Sequence, residues 1–219
     1  MKSENSIHDT LRNYILVDGM HNVFDAERSH GSYFVDAVTG KAYLDLFSFF
    51  ATQPIRFNHP RVKNDDFIRH IGTIALHRPS LSDVYTEEYA KAVETFATVA
   101  GRNHFRHYFF VEGGTLGVEN ALKTAFDWKV RKNLAQGRGE KGSQIIHFKD
   151  AFHGRSGYSI SMTNTSDPNK YKYFPKFPWP RIDNPYLRFP ATPEVLEETE
   201  KKEALAIAQI KQALADNRD

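Results

Sequence analysis

Apolar residues are concentrated in two short runs near the middle of the chain. The first run, Tyr108–Val111, consists of aromatic and apolar residues and leads into the glycine pair Gly113-Gly114. Beyond the glycines, apolar residues recur at helical spacing: Leu116, Val118, Leu122, Ala125 and Phe126. Because glycine permits a tight turn, this pattern predicts a buried strand that passes through the turn into a helix.

The second apolar run, Gln144–Lys149, follows a glycine-rich connection and predicts a second buried strand. Strand, helix and strand in this order predict a βαβ unit, and therefore an α/β fold with a parallel sheet and a right-handed crossover. Ligands of open α/β sheets bind beyond the carboxyl ends of the strands. We therefore expect the loop 150–158, which follows the second run, to lie beside the Gly113-Gly114 turn.

Weaker patterns predict the elements on either side of this unit. Helices are predicted over Ser6–Val17, Val62–Leu76, Asp83–Ala100 and Glu194–Asn217, and a hairpin over Ser32–Leu46. Ser82 is the expected cap of the helix that starts at Asp83, and Gly101 is its expected end. The segment Pro168–Pro193 is rich in proline and aromatic residues, so we expect it to be extended on the surface without a regular element.

Composition indicates an ordinary globular protein of one or two domains. The 219 residues are 40% hydrophobic and 26% charged, with a formal net charge of +2. Because there is neither a basic block nor a long apolar run, we expect no nucleic-acid partner and no membrane partner, and the polar start Met1–Ser6 makes the cytoplasm the default location. The chain has no cysteine, and His104 and His107 have no further ligand cluster beside them, so no disulfide and no metal site are expected.

The predicted helix start after Gly114 favours an anion. Backbone N–H groups there lack helical partners and the positive end of the helix dipole lies there, so phosphate is the expected ligand. A turn without a ligand explains the pattern equally well. In the loop 150–158, Phe152 can stack on a planar ring and Arg155 can bind a carboxylate. Taken singly, Phe152 is explained by core packing, Arg155 by solvation and His153 by a structural hydrogen bond. Together these residues suit an acidic substrate and a planar phosphorylated cofactor such as pyridoxal phosphate.

A family resemblance covers nearly the whole chain. It is carried by the stretches Gly31–Asp45, Pro79–Tyr85, Phe109–Trp128, Ala151–Asn164 and Phe174–Asp183. In these stretches the chain resembles the class III pyridoxal-phosphate-dependent aminotransferases. The resemblance implies fold type I with a mainly parallel sheet. It places residues 1–60 in the small domain or its lead-in and residues 61–219 in the first part of the cofactor-binding large domain, and it implies a homodimer.

The resemblance also assigns roles to individual residues. It implies that Gly113, Gly114 and Thr115 hold the cofactor phosphate. Phe152 matches the aromatic residue that stacks on the pyridine ring, and Arg155 matches the arginine that binds a substrate carboxylate. Anchoring the carboxylate at the far end of a long substrate would present its distal amine to the cofactor.

Two stretches, Phe152–Tyr158 and Phe174–Phe177, resemble in particular the family members that act on lysine. The implied reaction moves the ε-amino group of L-lysine to 2-oxoglutarate and gives 2-aminoadipate 6-semialdehyde and glutamate. An ornithine-type or other ω-amine donor is the alternative within the family.

The lysine that forms the Schiff base in this family lies farther along than the present chain extends, as does the acidic residue that pairs with the pyridine nitrogen. Neither Lys123 nor Lys149 matches the family lysine. The resemblance therefore implies a truncated chain that is inactive alone, and a non-catalytic product of a truncated reading frame is the remaining alternative.

Overall fold

The chain folds into two compact units, residues 1–106 and residues 107–219. The structure is a computed structural model that describes residues 4–77, 80 and 83–216. The predicted domain boundary at residue 60 refers to the family fold and stays a prediction. No helix among the described residues is long and apolar enough to cross a membrane.

The first unit contains a hairpin and short helices. Its elements are α1 (Glu4–Arg12), β1 (Tyr33–Val35), β2 (Ala42–Leu44), α2 (Ser48–Ala51), α3 (Asp65–Ala75) and α4 (Glu87–Thr95). Strands β1 and β2 pair antiparallel, with Phe34 opposite Tyr43, which confirms the predicted hairpin. Asp36 stabilises the connection because its carboxylate accepts hydrogen bonds from the backbone N–H of Val23 and from both the N–H and the hydroxyl of Thr39.

The helices α3 and α4 begin at polar caps. The side chain of Asn64 accepts a hydrogen bond from Phe67 N at 3.0 Å, and that of Thr86 accepts one from Tyr89 N at 3.1 Å. The prediction that a helix starts at Asp83 is wrong because Thr86 satisfies the first turn, so the helix begins at Glu87. The proposed cap Ser82 lies outside the described residues. The helix continues through a π-helical turn and ends at Gly101, as predicted.

The second unit is built on two long helices and a short parallel strand pair. Its elements are α5 (Gly114–Ala135), β3 (His147–Phe148), α6 (Ser159–Met162), β4 (Arg181–Ile182) and α7 (Pro193–Asp216). Helices α5 and α7 confirm the two strongest helix predictions. Strand β3 pairs in parallel with β4, with His147 opposite Arg181.

Two predicted features of this unit are wrong. Among the described residues Tyr108–Val111 belongs to no strand, and Phe109 is 74% exposed. Because no strand directly precedes α5 among the described residues, the predicted βαβ unit does not form around this helix. The segment Pro168–Pro193 is not purely a surface segment, because it contains β4 and the buried side chains of Trp179 and Ile182.

The core of the second unit lies on one face of α5. Leu122 packs with Met162 and Trp179, and partly buried hydrophobic residues surround them: Val118, Phe126, Ile145 and Tyr158. Because Val118, Leu122 and Phe126 are spaced by four residues, α5 turns one continuous apolar face to this core. The start of α5 is thereby fixed relative to the segment that carries α6.

Candidate functional site

The first turn of α5 has no side-chain cap. Gly113 precedes the helix with φ +81°, a conformation that favours glycine, and no side chain accepts a hydrogen bond from the helix start. A Cβ atom added to Gly113 or Gly114 would meet no other atom within 4 Å. The space beside the Cα atoms of these two glycines is therefore open, and the first backbone N–H groups of the helix have no side-chain cap.

The loop 150–158 lies against this first turn. Gly154 has φ +122°, and a Cβ atom there would lie 2.5 Å from Thr115 Oγ1 and 2.7 Å from Ser159 Oγ. Only glycine permits such a close approach at this φ. The predicted proximity of the loop to the glycine turn is thus confirmed, and the contact is made between Gly154 and Thr115.

The segment after the loop fixes its first half. The buried Thr163 hydroxyl donates to Gly154 O at 2.6 Å and accepts from His153 N at 3.1 Å. Asn164 binds the beginning of the loop, where its N donates to Ala151 O at 2.8 Å and its Oδ1 accepts from Asp150 N at 3.1 Å. In this structure His153 therefore contacts Thr163 through its backbone N–H group.

Glu119 fixes the second half of the loop. Its carboxylate accepts hydrogen bonds from Ser159 N at 2.8 Å, Tyr158 N at 3.0 Å and Ser156 Oγ at 2.9 Å. Burial acts to raise the pKa of Glu119, but the hydrogen bonds from Ser159, Tyr158 and Ser156 outweigh it and lower the pKa below its usual range. Glu119 is therefore an anion at neutral pH.

Phe152 and Arg155 project from the loop into solvent. Phe152 is 59% exposed, and Arg155 is exposed and forms no ion pair with a described residue. Within the described part of the chain, no hydrogen bond or ring contact joins either side chain to residues 113–115. The structure therefore brings the loop backbone, but not these two side chains, against the helix start.

The stretches Phe152–Tyr158 and Phe174–Phe177 meet in an aromatic cluster. The cluster is formed by Phe126, Tyr158, Phe177 and Trp179. The rings of Phe177 and Trp179 are stacked with centroids 5.0 Å apart, and the centroid of Tyr158 is 5.6 Å from that of Phe177. Ser161 Oγ accepts from Phe177 N at 3.0 Å. The Phe174–Phe177 stretch is therefore attached to the end of the loop 150–158.

A buried histidine lies at the strand pair that precedes the loop. Arg181 Nε donates to His147 Nε2 at 3.0 Å, so His147 carries its proton on Nδ1, which contacts Ile145 O at 3.2 Å. Burial lowers the pKa of His147, and the charge of Arg181 lowers it further. Arg181 also donates to Ser161 O at 2.9 Å and so connects β4 to α6.

The sequence matches the aminotransferase class-III family over residues 15–219. This chain belongs to the class III aminotransferases. It is 52% identical over 184 residues to the L-lysine-epsilon aminotransferase of Mycobacterium tuberculosis (strain ATCC 25618 / H37Rv), an alignment that covers 83% of this chain and 41% of that protein. It is 31% identical over 211 residues to a 4-aminobutyrate aminotransferase of Schizosaccharomyces pombe, covering 88% of this chain and 44% of the relative.

A solved structure of a class III enzyme shares the fold. The lysine aminotransferase from M. tuberculosis superposes with a TM-score of 0.87 at 46% identity, over 99% of this chain and 49% of that one. This similarity confirms the predicted fold type I. The chain spans about half or less of the length of these relatives. Its described residues contain one parallel strand pair, β3 and β4, of the predicted mainly parallel sheet.

The helix start suits the phosphate of the family cofactor, pyridoxal phosphate. Its donors are backbone N–H groups, the space beside Gly113 and Gly114 is open, and the nearest carboxylate on the same helix face, that of Glu119, is engaged by the loop. Backbone N–H groups at a helix start are a common phosphate site in proteins. The residues present therefore fit the group.

Two residues that organise the site, Glu119 and Thr163, are not predicted by the sequence. Glu119 and Thr163 carry no local signal, because their partners lie up to 40 residues away for Glu119 and up to 10 residues away for Thr163. The spacing of four between Thr115 and Glu119 does put both on one helix face, and that spacing is the only hint the sequence offers.

Proposed function

We propose that the protein to which this chain corresponds is an L-lysine ε-aminotransferase that uses pyridoxal phosphate. It would transfer the ε-amino group of L-lysine to 2-oxoglutarate and release 2-aminoadipate 6-semialdehyde and glutamate. We further propose that the working enzyme is a cytoplasmic homodimer, and that the 219-residue chain binds the cofactor without turnover by itself.

The observation that carries this proposal is the pattern of identity. The chain is 52% identical to a lysine ε-aminotransferase but 31% identical to a 4-aminobutyrate enzyme. The two stretches that resemble the lysine-acting family members, Phe152–Tyr158 and Phe174–Phe177, are in contact through Tyr158 and Phe177. A lysine donor is therefore favoured over other ω-amines.

Each proposed site residue has a distinct task. The backbone N–H groups of Gly114 and Thr115, after the turn at Gly113, would hold the phosphate. The exposed ring of Phe152 would cover one face of the pyridine ring. Bound there, pyridoxal phosphate supplies the aldehyde and the electron sink that amino-group transfer needs.

Arg155 would set the choice of amine. A planar guanidinium binds a carboxylate through two parallel hydrogen bonds and so fixes its orientation. Because Arg155 is exposed and has no ion-pair partner among the described residues, it is available for this contact. Holding the α-carboxylate of lysine at this point would direct the distal amine toward the cofactor.

The experiment is an assay of two proteins with L-lysine, L-ornithine and 4-aminobutyrate as donors and 2-oxoglutarate as acceptor. One protein is the 219-residue chain. The other is a chimera in which this chain replaces the matching part of the M. tuberculosis lysine aminotransferase. The measured quantities are bound pyridoxal phosphate and kcat/KM for glutamate formation.

We expect the chain to bind pyridoxal phosphate without forming glutamate, and the chimera to prefer lysine. Ornithine is one methylene shorter, so its kcat/KM should be lower by about 10–200-fold. Equal use of lysine and ornithine would refute lysine as the preferred donor, in favour of a broader ω-amine enzyme. Turnover by the chain alone would refute the proposed inactivity. Failure of the chain to bind the cofactor would favour a non-catalytic product.

A further inference from the structure

The carboxylate of Glu119 collects donors from the loop that carries Phe152 and Arg155. Three hydrogen bonds, from Ser159 N, Tyr158 N and Ser156 Oγ, end on its two oxygens at 2.8–3.0 Å. A Cβ atom on Gly157 would lie 3.3 Å from Glu119 Oε2, so the glycine lets the turn close around the carboxylate. Hydrogen bonds to an ionised acceptor are stronger than neutral ones.

This carboxylate and the proposed phosphate site belong to one helix face. Glu119 follows Thr115 by four residues, so their side chains leave α5 on the same side, one turn apart. Thr115 contacts Gly154, and Glu119 binds the turn that begins at Ser156. The helix therefore holds the loop at two points, one on each side of Arg155.

The two points differ in what supports them. At Gly154 the loop is also held by Thr163, which belongs to the segment after α6. The turn at Ser156–Ser159 donates hydrogen bonds to α5 at Glu119 alone among the described side chains of that helix. Losing Glu119 would therefore remove these hydrogen bonds and leave the contact between the Tyr158 and Phe126 rings, 5.5 Å apart, as the remaining described link of the turn to α5.

We propose that Glu119 is a positioning residue, which holds the loop 152–158 in the arrangement that the proposed cofactor site at the start of α5 requires. The link between Glu119 and cofactor binding rests on the proposed function. Glu119 itself would not touch the reacting atoms, and it acts through the backbone of Tyr158 and Ser159.

The test compares Glu119→Gln with Asp127→Asn in the 219-residue chain. Glutamine keeps the size of the side chain but replaces one acceptor oxygen by an NH₂ group, which would face an N–H donor. Asp127 lies on the same helix, is exposed and pairs with Arg131 one turn away, so its replacement controls for loss of charge on α5.

The loop is measured directly by hydrogen exchange of the Tyr158 and Ser159 amides and by the rate of trypsin cleavage after Arg155. We expect Glu119→Gln to raise both rates by about tenfold, since a charge-assisted hydrogen-bond set is weakened. Asp127→Asn should leave both rates unchanged. If Glu119→Gln does not fold, Ser156→Ala removes one donor and should raise both rates by about threefold.

Cofactor binding is measured by the Kd for pyridoxal phosphate and, separately, by the Kd for inorganic phosphate. Glu119→Gln should raise the first by about tenfold and leave the second unchanged, because the helix-start N–H groups stay in place while the loop moves. A variant that had merely lost its fold would bind both ligands more weakly.

Unchanged exchange and cleavage rates in Glu119→Gln would overturn the proposal, and so would faster rates with an unchanged Kd for pyridoxal phosphate. If the wild-type chain does not bind pyridoxal phosphate, the proposed function of this site fails and with it the link to the cofactor. The exchange and cleavage rates still decide in that case whether Glu119 holds the loop.

Discussion

Two runs of the second unit, both rich in apolar residues, have different structures. Gln144–Lys149 contributes β3, and its backbone is paired: His147 N donates to Pro180 O at 3.1 Å and Lys149 N donates to Ile182 O at 2.8 Å. Tyr108–Val111 belongs to no strand in the described part of the chain, and Phe109 is 74% exposed whereas His147 of the other run is 6% exposed. An apolar run thus indicates the tendency to form a strand, and a second backbone decides whether the strand forms.

The largest expected effect on the free energy of unfolding comes from truncating a buried side chain in the strand pair β3 and β4. Ile182→Ala removes a buried side chain opposite β3 and should lower the free energy of unfolding by about 2–5 kcal/mol. Phe109→Ala truncates an exposed side chain of the run Tyr108–Val111 and should change the free energy of unfolding by less than about 0.5 kcal/mol. Urea unfolding followed by tryptophan fluorescence measures both. Equal losses in the two variants would show that Tyr108–Val111 is as well packed as β3.

The contact between the loop and α5 is tested at Gly154. Gly154→Ala would bring a Cβ atom to 2.5 Å from Thr115 and should lower the free energy of unfolding by about 1–3 kcal/mol more than a control at another positive-φ glycine. Gly139→Ala is that control, because Gly139 has φ +81° and open space around it. Equal losses in urea unfolding would mean that the loop does not press against the helix start.

The strand pair should also make stability depend on pH. The folded-state pKa of His147 lies below its unfolded value of 6.5, so the unfolded chain binds the extra proton first and stability falls as pH drops below about 6.5. Between pH 7 and 5.5 we therefore expect this group to lower the free energy of unfolding progressively. Arg181 and His153 are the charged or titratable groups that act on it.

Unfolding in urea at several pH values between 5.5 and 7.5 measures this dependence. His147→Gln keeps an acceptor for Arg181 and should flatten the curve. A wild-type curve that is already flat over this range would contradict the assigned protonation of His147.

The smallest expected effect concerns the exposed aromatic ring of the loop. Phe152→Ala should leave urea unfolding unchanged, because the ring is 59% exposed, and should weaken pyridoxal phosphate binding by about 2–10-fold through lost stacking. Phe148→Ala, at an exposed aromatic residue of β3, is the matched control for cofactor affinity. Equal Kd values for Phe152→Ala and the wild-type chain would remove Phe152 from the proposed site.

Local patterns in the sequence predicted the helices well. The start of α5 at Gly114 and the extent of α7 follow from helical spacing and from the glycine turn, which depend on neighbouring residues only. The meeting of the loop with the helix start was also predicted, although the strand before α5 is absent from the described structure. That meeting depends instead on the packing of Leu122 against Met162, which holds α5 close to α6.

What could not be predicted depends on partners that are distant in sequence. The bonds between Glu119 and Ser159 and between Arg181 and His147 span 40 and 34 residues, and neither has a periodic signature. Strand β4 is two residues long and lies among prolines, so its composition favours a loop. Its parallel pairing with β3 becomes apparent only once both segments are folded.

The central claim is that the start of α5 and the loop 152–158 form a single site for a phosphorylated ring. The most direct measurement is an NMR titration of the chain with pyridoxal phosphate, following the amide signals of Gly114, Thr115, Phe152 and Gly154. We expect all four signals to shift together and to saturate at one equivalent with one Kd. Shifts confined to the helix start or to the loop, or no shift at any of the four, would contradict it.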